Sequence, residues 1–247
     1  MSFTLILPEQ SELKSLQENL ESLKDVQIIS IDDHLEKITR KTYIDLSLDI
    51  FNRNITPATL YRIFENLEEM LARMESTGSE IFLIRIYPYR TNIKSFLILQ
   101  KIMDNYTSTL TEYYGVRQIF LPTVISRHCF QGACSPPGRI INALRMDHSE
   151  SIKIKKTSRF FVIYARDVLE FLFRPEEEKK NHIIIEGIEM SLEEIYEKTK
   201  PFSGETPIRF DSQNFLNYEY PISPAEPFHS INYTFEDMLI DITSNLF

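Results

Sequence analysis

With 247 residues, 43% of them hydrophobic, the chain can bury one substantial core or a core with a grafted lobe. Its net charge of -9 sets a bulk field that repels phosphate backbones, so nucleic acid is excluded as the expected partner. Two cysteines make no disulfide framework, no apolar run approaches the ~20 residues that span a bilayer, and nothing reads as a signal peptide. The expectation is a cytoplasmic protein with no membrane association.

Phe3 to Leu7 predicts a buried strand, and Ser11 caps a helix carrying Leu13, Leu16, Leu20 and Leu23 at helical spacing. Val26 to Ile31, closed by Asp32 and Asp33, is the next strand, and Tyr43 to Leu48 a third. Thr56 caps a helix that opens at Pro57, places Leu60, Ile63, Leu67, Leu71 and Met74 on one face, and ends at Gly78. Ile81 to Tyr87 reads as a strand. A second long helix, from Ser95 to Tyr114, ends at Gly115, and Val116 to Ile125 is strand-like, interrupted only by Pro122.

The second half is less regular. Ser135-Pro136-Pro137-Gly138 opens a short helix from Arg139 to Met146, Ser151 to Lys156 alternates like a half-exposed strand, and Phe160 to Tyr164 reads as buried. Asp167 to Phe173 reads as helix, and Pro175 to Lys180 as a solvated charged turn. Ser191 and Glu194 form a capping box before another short helix. Prolines cluster between Pro201 and Pro227. Thr234 and Asp237 then cap a last helix with Phe235, Met238, Leu239, Ile242 and Leu246 on its packing face.

Strands alternating with helices of this length imply a parallel sheet covered on both faces. The fold class expected is α/β: a shortened Rossmann-like parallel sheet with a small irregular C-terminal lobe. The whole chain, 1–247, is expected to form one domain. It divides into a Rossmann-like core (1–125), a mixed core and substrate-lobe-like region (126–232), and a terminal helix packing on the core (233–247).

From Met1 to Thr77 there is no glycine. A dinucleotide pyrophosphate is held by backbone N–H groups at a strand-to-helix turn, where glycine lets the backbone come close. The turn after the first strand reads Pro8-Glu9-Gln10-Ser11 instead. Pro8 has no N–H and Glu9 repels phosphate, so no dinucleotide cofactor is expected. Asp32 is a weak candidate for a ribose contact, since a strand-ending aspartate is also a routine turn residue.

The element order from Tyr43 to Phe173 resembles that of the extended short-chain dehydrogenase/reductases, nearest to the NAD-dependent nucleotide-sugar epimerases and dehydratases. Ala165-Arg166-Asp167-Val168 after an aromatic strand carries the resemblance, as do Phe228 to Tyr233 before a terminal helix and Tyr114-Gly115 before the strand that follows. The family's Tyr-x-x-x-Lys pair, counted back from Tyr114-Gly115, falls on Phe96 and Gln100. A phenyl ring has no proton to exchange and an amide cannot lower a phenol's pKa, so the resemblance implies a degenerate member, a pseudoenzyme. The amino-terminal half is also about one strand-helix unit shorter than the family pattern. The pair Tyr196 and Lys200 has the right spacing in the wrong half of the chain.

By the same resemblance, Arg127, Arg139, Arg159 and Arg166 fall in the region that holds the nucleoside diphosphate of a nucleotide-sugar, and arginine suits bidentate phosphate contacts. The family builds its dimer from the helices equivalent to 56–74 and 95–114. A homodimer or mixed dimer is therefore expected, and the second helix here carries a wider apolar stripe than packing on a sheet needs. The alternative is an active NAD(P)-dependent epimerase, dehydratase or reductase with Tyr87 or Tyr89 as proton donor. His128, Cys129, Cys134 and His148 match no compact zinc spacing, and no metal is expected.

Overall fold

The computed structural model describes residues 3–7, 25–30, 39–47, 55–75, 77–86, 94–125, 135–145, 150–152, 154–173, 182–202, 208–210 and 232–244. The central sheet has six strands: β1 (Phe3–Leu7), β2 (Val26–Ser30), β3 (Lys41–Asp45), β4 (Glu80–Ile86), β5 (Arg117–Leu121) and β9 (His182–Ile184). Their order is β2-β1-β3-β4-β5-β9, and every pairing is parallel. All five residues of β1 are buried, as are the last four of β3, which is the pattern of strands covered on both faces.

Helices α1 (Pro57–Glu75) and α2 (Lys94–Tyr114) cover one face. The apolar stripe of α1, from Leu60 to Met74, packs with Ile6, Ile44, Ile81 and Leu83 of the sheet and with Leu99, Met103 and Leu110 of α2. Between the helices the Phe64 and Tyr106 rings stack at 3.7 Å, and the Tyr106 hydroxyl donates to the Phe64 carbonyl at 2.8 Å. Burial, with the Glu68 carboxylate nearby, holds this phenol well above its ordinary pKa. Gly78 and Gly115, with φ of 65° and 62°, take the left-handed turn that follows each helix.

The opposite face packs on α4 (Ala165–Phe173) and α6 (Phe235–Thr243). Tyr43 crosses to it from β3, donating to the Leu172 carbonyl at 3.2 Å. The capping boxes expected at Ser191 and Thr234 both form, on α5 (Leu192–Thr199) and on α6. In each, the glutamate or aspartate accepts hydrogen bonds at the cap, which holds Glu194 and Asp237 below the ordinary carboxylate range.

Pro122 splits the single strand expected from Val116 to Ile125. With no N–H to give the ladder, it ends β5, and β6 (Thr123–Ile125) joins a second sheet of order β10-β8-β6 with β8 (Arg159–Tyr164) and β10 (Ile188–Ser191). The helix expected from Arg139 begins earlier, as α3 (Pro136–Arg145), because prolines fit its first turn. The half-exposed strand shortens to β7 (Glu150–Ile152), paired with β11 (Ile208–Phe210). Among the described elements, sequence reading passed over strands β9, β10 and β11 and the 3₁₀ turn Lys200–Phe202. The helix expected after Ser11 and the charged turn from Pro175 to Lys180 lie outside the described residues.

Gly187, between β9 and β10, lies against the same proline. A Cβ there would stand 2.6 Å from Pro122 Cγ and 3.1 Å from Phe161 Cβ. Gly187→Ala is therefore expected to overpack the junction of the two sheets and cost about 1–3 kcal/mol, read as a lowered melting temperature.

Candidate functional site at the carboxyl edge of the sheet

The chain runs from β1 outward to β2 and then returns past β1 to β3, so β1 has neighbours reached in opposite directions. In open parallel sheets that reversal opens a crevice at the carboxyl ends of the strands. Among the described residues, β2 is the edge strand on that side of the sheet. The edge is formed by Leu7 of β1, Ser30 of β2, Asp45 of β3 with the following Leu46 and Ser47, and Ile86 of β4.

Two polar groups at this edge are wholly buried. Asp45 and Ser47 are each 0% exposed, and the Ser47 N–H donates to Asp45 Oδ1 at 2.7 Å. The Ser47 hydroxyl is buried with no hydrogen-bond partner.

A second polar assembly pins α2 to the sheet. Arg85, 7% exposed, donates through Nη1 to Thr107 Oγ1 at 2.9 Å and Gln118 Oε1 at 3.2 Å, and through Nη2 to the Asp104 carboxylate. Gln118 Nε2 in turn donates to Thr111 Oγ1 at 2.9 Å. The guanidinium also lies 5.4 Å from the Phe120 ring centroid, a cation–π distance. Asp104, Thr107 and Thr111 recur at helical spacing on one side of α2, and Gln100 lies one turn before them on that side. Because α2 runs antiparallel to the strands it joins, Gln100 is about 6 Å nearer the carboxyl edge than Asp104. Its side-chain carbonyl is buried without a partner. Sequence reading named Gln100 and missed Arg85, Asp45 and Ser47. The available signal was a polar residue inside an apolar strand, as in Ile84-Arg85-Ile86 and Ile44-Asp45-Leu46.

Of the four candidate arginines, Arg139, Arg159 and Arg166 are described, and each stands on a different element. Arg159 opens β8 and pairs its Nε with Glu189 Oε1 at 2.7 Å, both side chains about half exposed. Arg166 follows the other end of that strand, so the two are separated by the full length of β8. Arg166 Nη2 lies 3.1 Å from Asp241 Oδ1 of α6. Arg139, on α3, donates to the Ser151 carbonyl at 3.2 Å. Exposed pairs of this kind contribute little stability. Arg127, Asp32, Tyr87 and Tyr89 lie outside the described residues, as do His128, Cys129, Cys134 and His148.

Around Arg166 the structure gathers a denser set. The buried Tyr164 hydroxyl donates to Asp241, the Tyr164 and Tyr233 rings meet edge to face at 5.5 Å, and the Tyr233 hydroxyl donates to Glu170 Oε1 at 3.2 Å. Burial and the Glu170 contact raise the Tyr233 phenol above its ordinary pKa. Asn232 closes the set, its N–H donating to the buried Asp167 Oδ1 at 2.9 Å. This cluster fastens the terminal helix and the residues before it to β8 and α4.

No family model matches the chain, and no curated protein matches it. Solved structures do. The L-threonine dehydrogenase of Phytophthora infestans is 12% identical with a TM-score of 0.69, covering 99% of this chain and 99% of that one. The UDP-glucuronic acid 4-epimerase of Bacillus cereus, in complex with NAD and a fluorinated UDP-sugar, is 15% identical with a TM-score of 0.64, covering 99% and 100%. The UDP-glucose 4-epimerase of Thermotoga maritima, with UDP-glucose, is 13% identical with a TM-score of 0.63, covering 97% of each chain. Across nearly its whole length, this chain has the Rossmann-like α/β fold of those threonine dehydrogenases and UDP-sugar epimerases.

Proposed function

We propose that this protein is a catalytically degenerate relative of the nucleotide-sugar epimerases and dehydratases that works by binding, without hydride transfer. The observation that carries the reading is Gln100. It stands on the sheet-facing side of α2 where the resembled family has its lysine, with Phe96 one turn earlier in place of the tyrosine. A neutral amide leaves no ammonium to lower a phenol's pKa, and the ring at Phe96 carries no hydroxyl.

The residues present do not suit a dinucleotide. The segment up to Thr77 has no glycine to let a strand-to-helix turn come close to a pyrophosphate. Among the described residues, no strand lies outside β2, the position that an outer strand of the usual dinucleotide-binding order would take. What such an edge can still hold is a nucleotide or nucleotide-sugar bound mainly through its uncharged parts.

The second element of the proposal is assembly through α1 and α2, as a homodimer or with a related chain. Tyr61 on α1 is 59% exposed, and Ile98 and Tyr113 on α2 are 53% and 76% exposed. A pairing that covers them would use the same helices that the resembled family pairs.

Native mass spectrometry of the protein as purified tests both elements. The expected result is a dimer carrying no nicotinamide dinucleotide. A bound mass matching that dinucleotide overturns the non-redox reading, and a monomer at micromolar concentration overturns the assembly.

A further inference from the structure

Helix α1 joins β3 to its parallel neighbour β4, and α2 joins β4 to β5, so the two helices run side by side in the same direction. The stacked Phe64 and Tyr106 rings fix their relative level. Charge is not spread evenly over their outer sides. Tyr61, Glu68, Ala72 and Glu75 recur at helical spacing on α1 and are all exposed, which makes the second half of that side acidic. On α2, Lys94, Ile98 and Lys101 recur in the same way and are exposed, which makes its first half basic. Measured from the ring stack, the acidic and basic halves lie at opposite ends of the helix pair.

A two-fold axis through the Phe64–Tyr106 contact turns a second copy end for end and lays each α1 antiparallel on the other copy's α2. Counting outward from the axis then sets Glu68 against Lys101 of the second copy, Ala72 against Ile98 and Glu75 against Lys94. An acid meets a lysine at both ends of this run, and a small side chain meets a branched one between them. Symmetry repeats the run on the other side of the axis. Glu68 stands beside the Tyr106 phenol, at the seam that the axis crosses.

We propose that a second copy of this chain covers this face, with Glu68 and Glu75 of each copy paired to Lys101 and Lys94 of the other. Apolar burial at Tyr61 and Ile98 supplies most of the affinity, because exposed ion pairs contribute little. The charges choose the partner and the register. A net charge of -9 makes two copies repel at long range, and the local pairing offsets that repulsion at contact. The assignment rests on the assembly through α1 and α2 proposed above and names its partner: an identical chain rather than a related one.

Sedimentation equilibrium of the whole chain at micromolar concentration tests it by charge exchange. The wild type is expected to be a dimer. The double variant Glu68→Lys with Glu75→Lys, and the double variant Lys94→Glu with Lys101→Glu, are each expected to self-associate at least about tenfold more weakly, since every unlike pair becomes a like one. Mixed in equal amounts, the two variants are expected to recover the wild-type affinity, because all the pairs are again unlike; a variant that had merely failed to fold would not recover. Absence of recovery overturns the pairing. Self-association kept by both variants also overturns it, placing the contact between copies elsewhere and assigning this face to a different chain. In both of these cases a dimeric wild type still stands, whereas a monomeric wild type overturns the self-assembly itself.

Discussion

Replacing Arg85 by alanine is expected to destabilise the protein by about 3–5 kcal/mol, the cost of breaking a buried charged assembly from its centre. The Arg85 side chain is 9% exposed and its guanidinium serves Thr107, Gln118 and Asp104 at once. Its removal leaves the Gln118 carbonyl short of its donor inside the sheet–helix interface and opens a void beside Phe120. Asp104, by contrast, is 46% exposed, so water can take over its half of the pair. Asp104→Asn is accordingly expected to cost only about 1 kcal/mol. Arg85→Lys keeps the charge and loses the fork that reaches several acceptors, and falls between the two. Urea unfolding of the three variants reads the order directly. An Arg85→Ala loss no larger than that of Asp104→Asn would mean that the assembly does not hold α2 to the sheet.

The sheet was legible in the sequence wherever strands are buried on both faces. Phe3 to Leu7 and Phe160 to Tyr164 are short, mainly apolar runs of strand length, and both lie in strands as expected. The two capping boxes were equally plain, since each depends on residues three apart. The short strands β9, β10 and β11 were not. Three or four residues carry no period to read, and their partners, β5, β8 and β7, are supplied by distant chain. The candidate site divides in the same way. Counting along one helix placed Gln100, because that spacing is a local property, whereas Arg139, Arg159 and Arg166 were grouped by segment and stand on α3, at the start of β8 and at the start of α4. Arg159 and Arg166 are seven positions apart in sequence and stand at the two ends of one strand. Ser47 was invisible for a third reason: an unpartnered hydroxyl is defined by what surrounds it.

The same contrast governs the carboxyl edge. Fold likeness extends over 99% of the threonine dehydrogenase at 12% identity, whereas the residues of any binding site occupy a few local positions. Packing preserves a fold through many apolar exchanges, because volume and patterning suffice. A site has no such tolerance, and the carboxyl edge here buries two polar side chains, Asp45 and Ser47.

Phe235→Ala is expected to cost about 3–5 kcal/mol, because it empties a ring-sized volume from the larger core cluster. Phe235 is 2% exposed, and with Met238, Leu239 and Ile242 it forms the buried side of α6. In a chain of this size that loss corresponds to a fall in melting temperature on the order of 10 °C. Ile240, on the outer side and 55% exposed, is the control: Ile240→Ser is expected to stay within about 0.5 kcal/mol. The shape of the transition matters as much as its midpoint. Polar contacts tie the helix to three other elements: Asp241 to Tyr164 and Arg166, Glu236 to Lys198, and the Asn232 N–H to Asp167. If these couple α6 to the core, Phe235→Ala melts in one shifted transition followed alike by near-ultraviolet and far-ultraviolet dichroism. If α6 instead leaves on its own, the two signals separate, and the terminal helix is an independently docking piece rather than part of the cooperative fold.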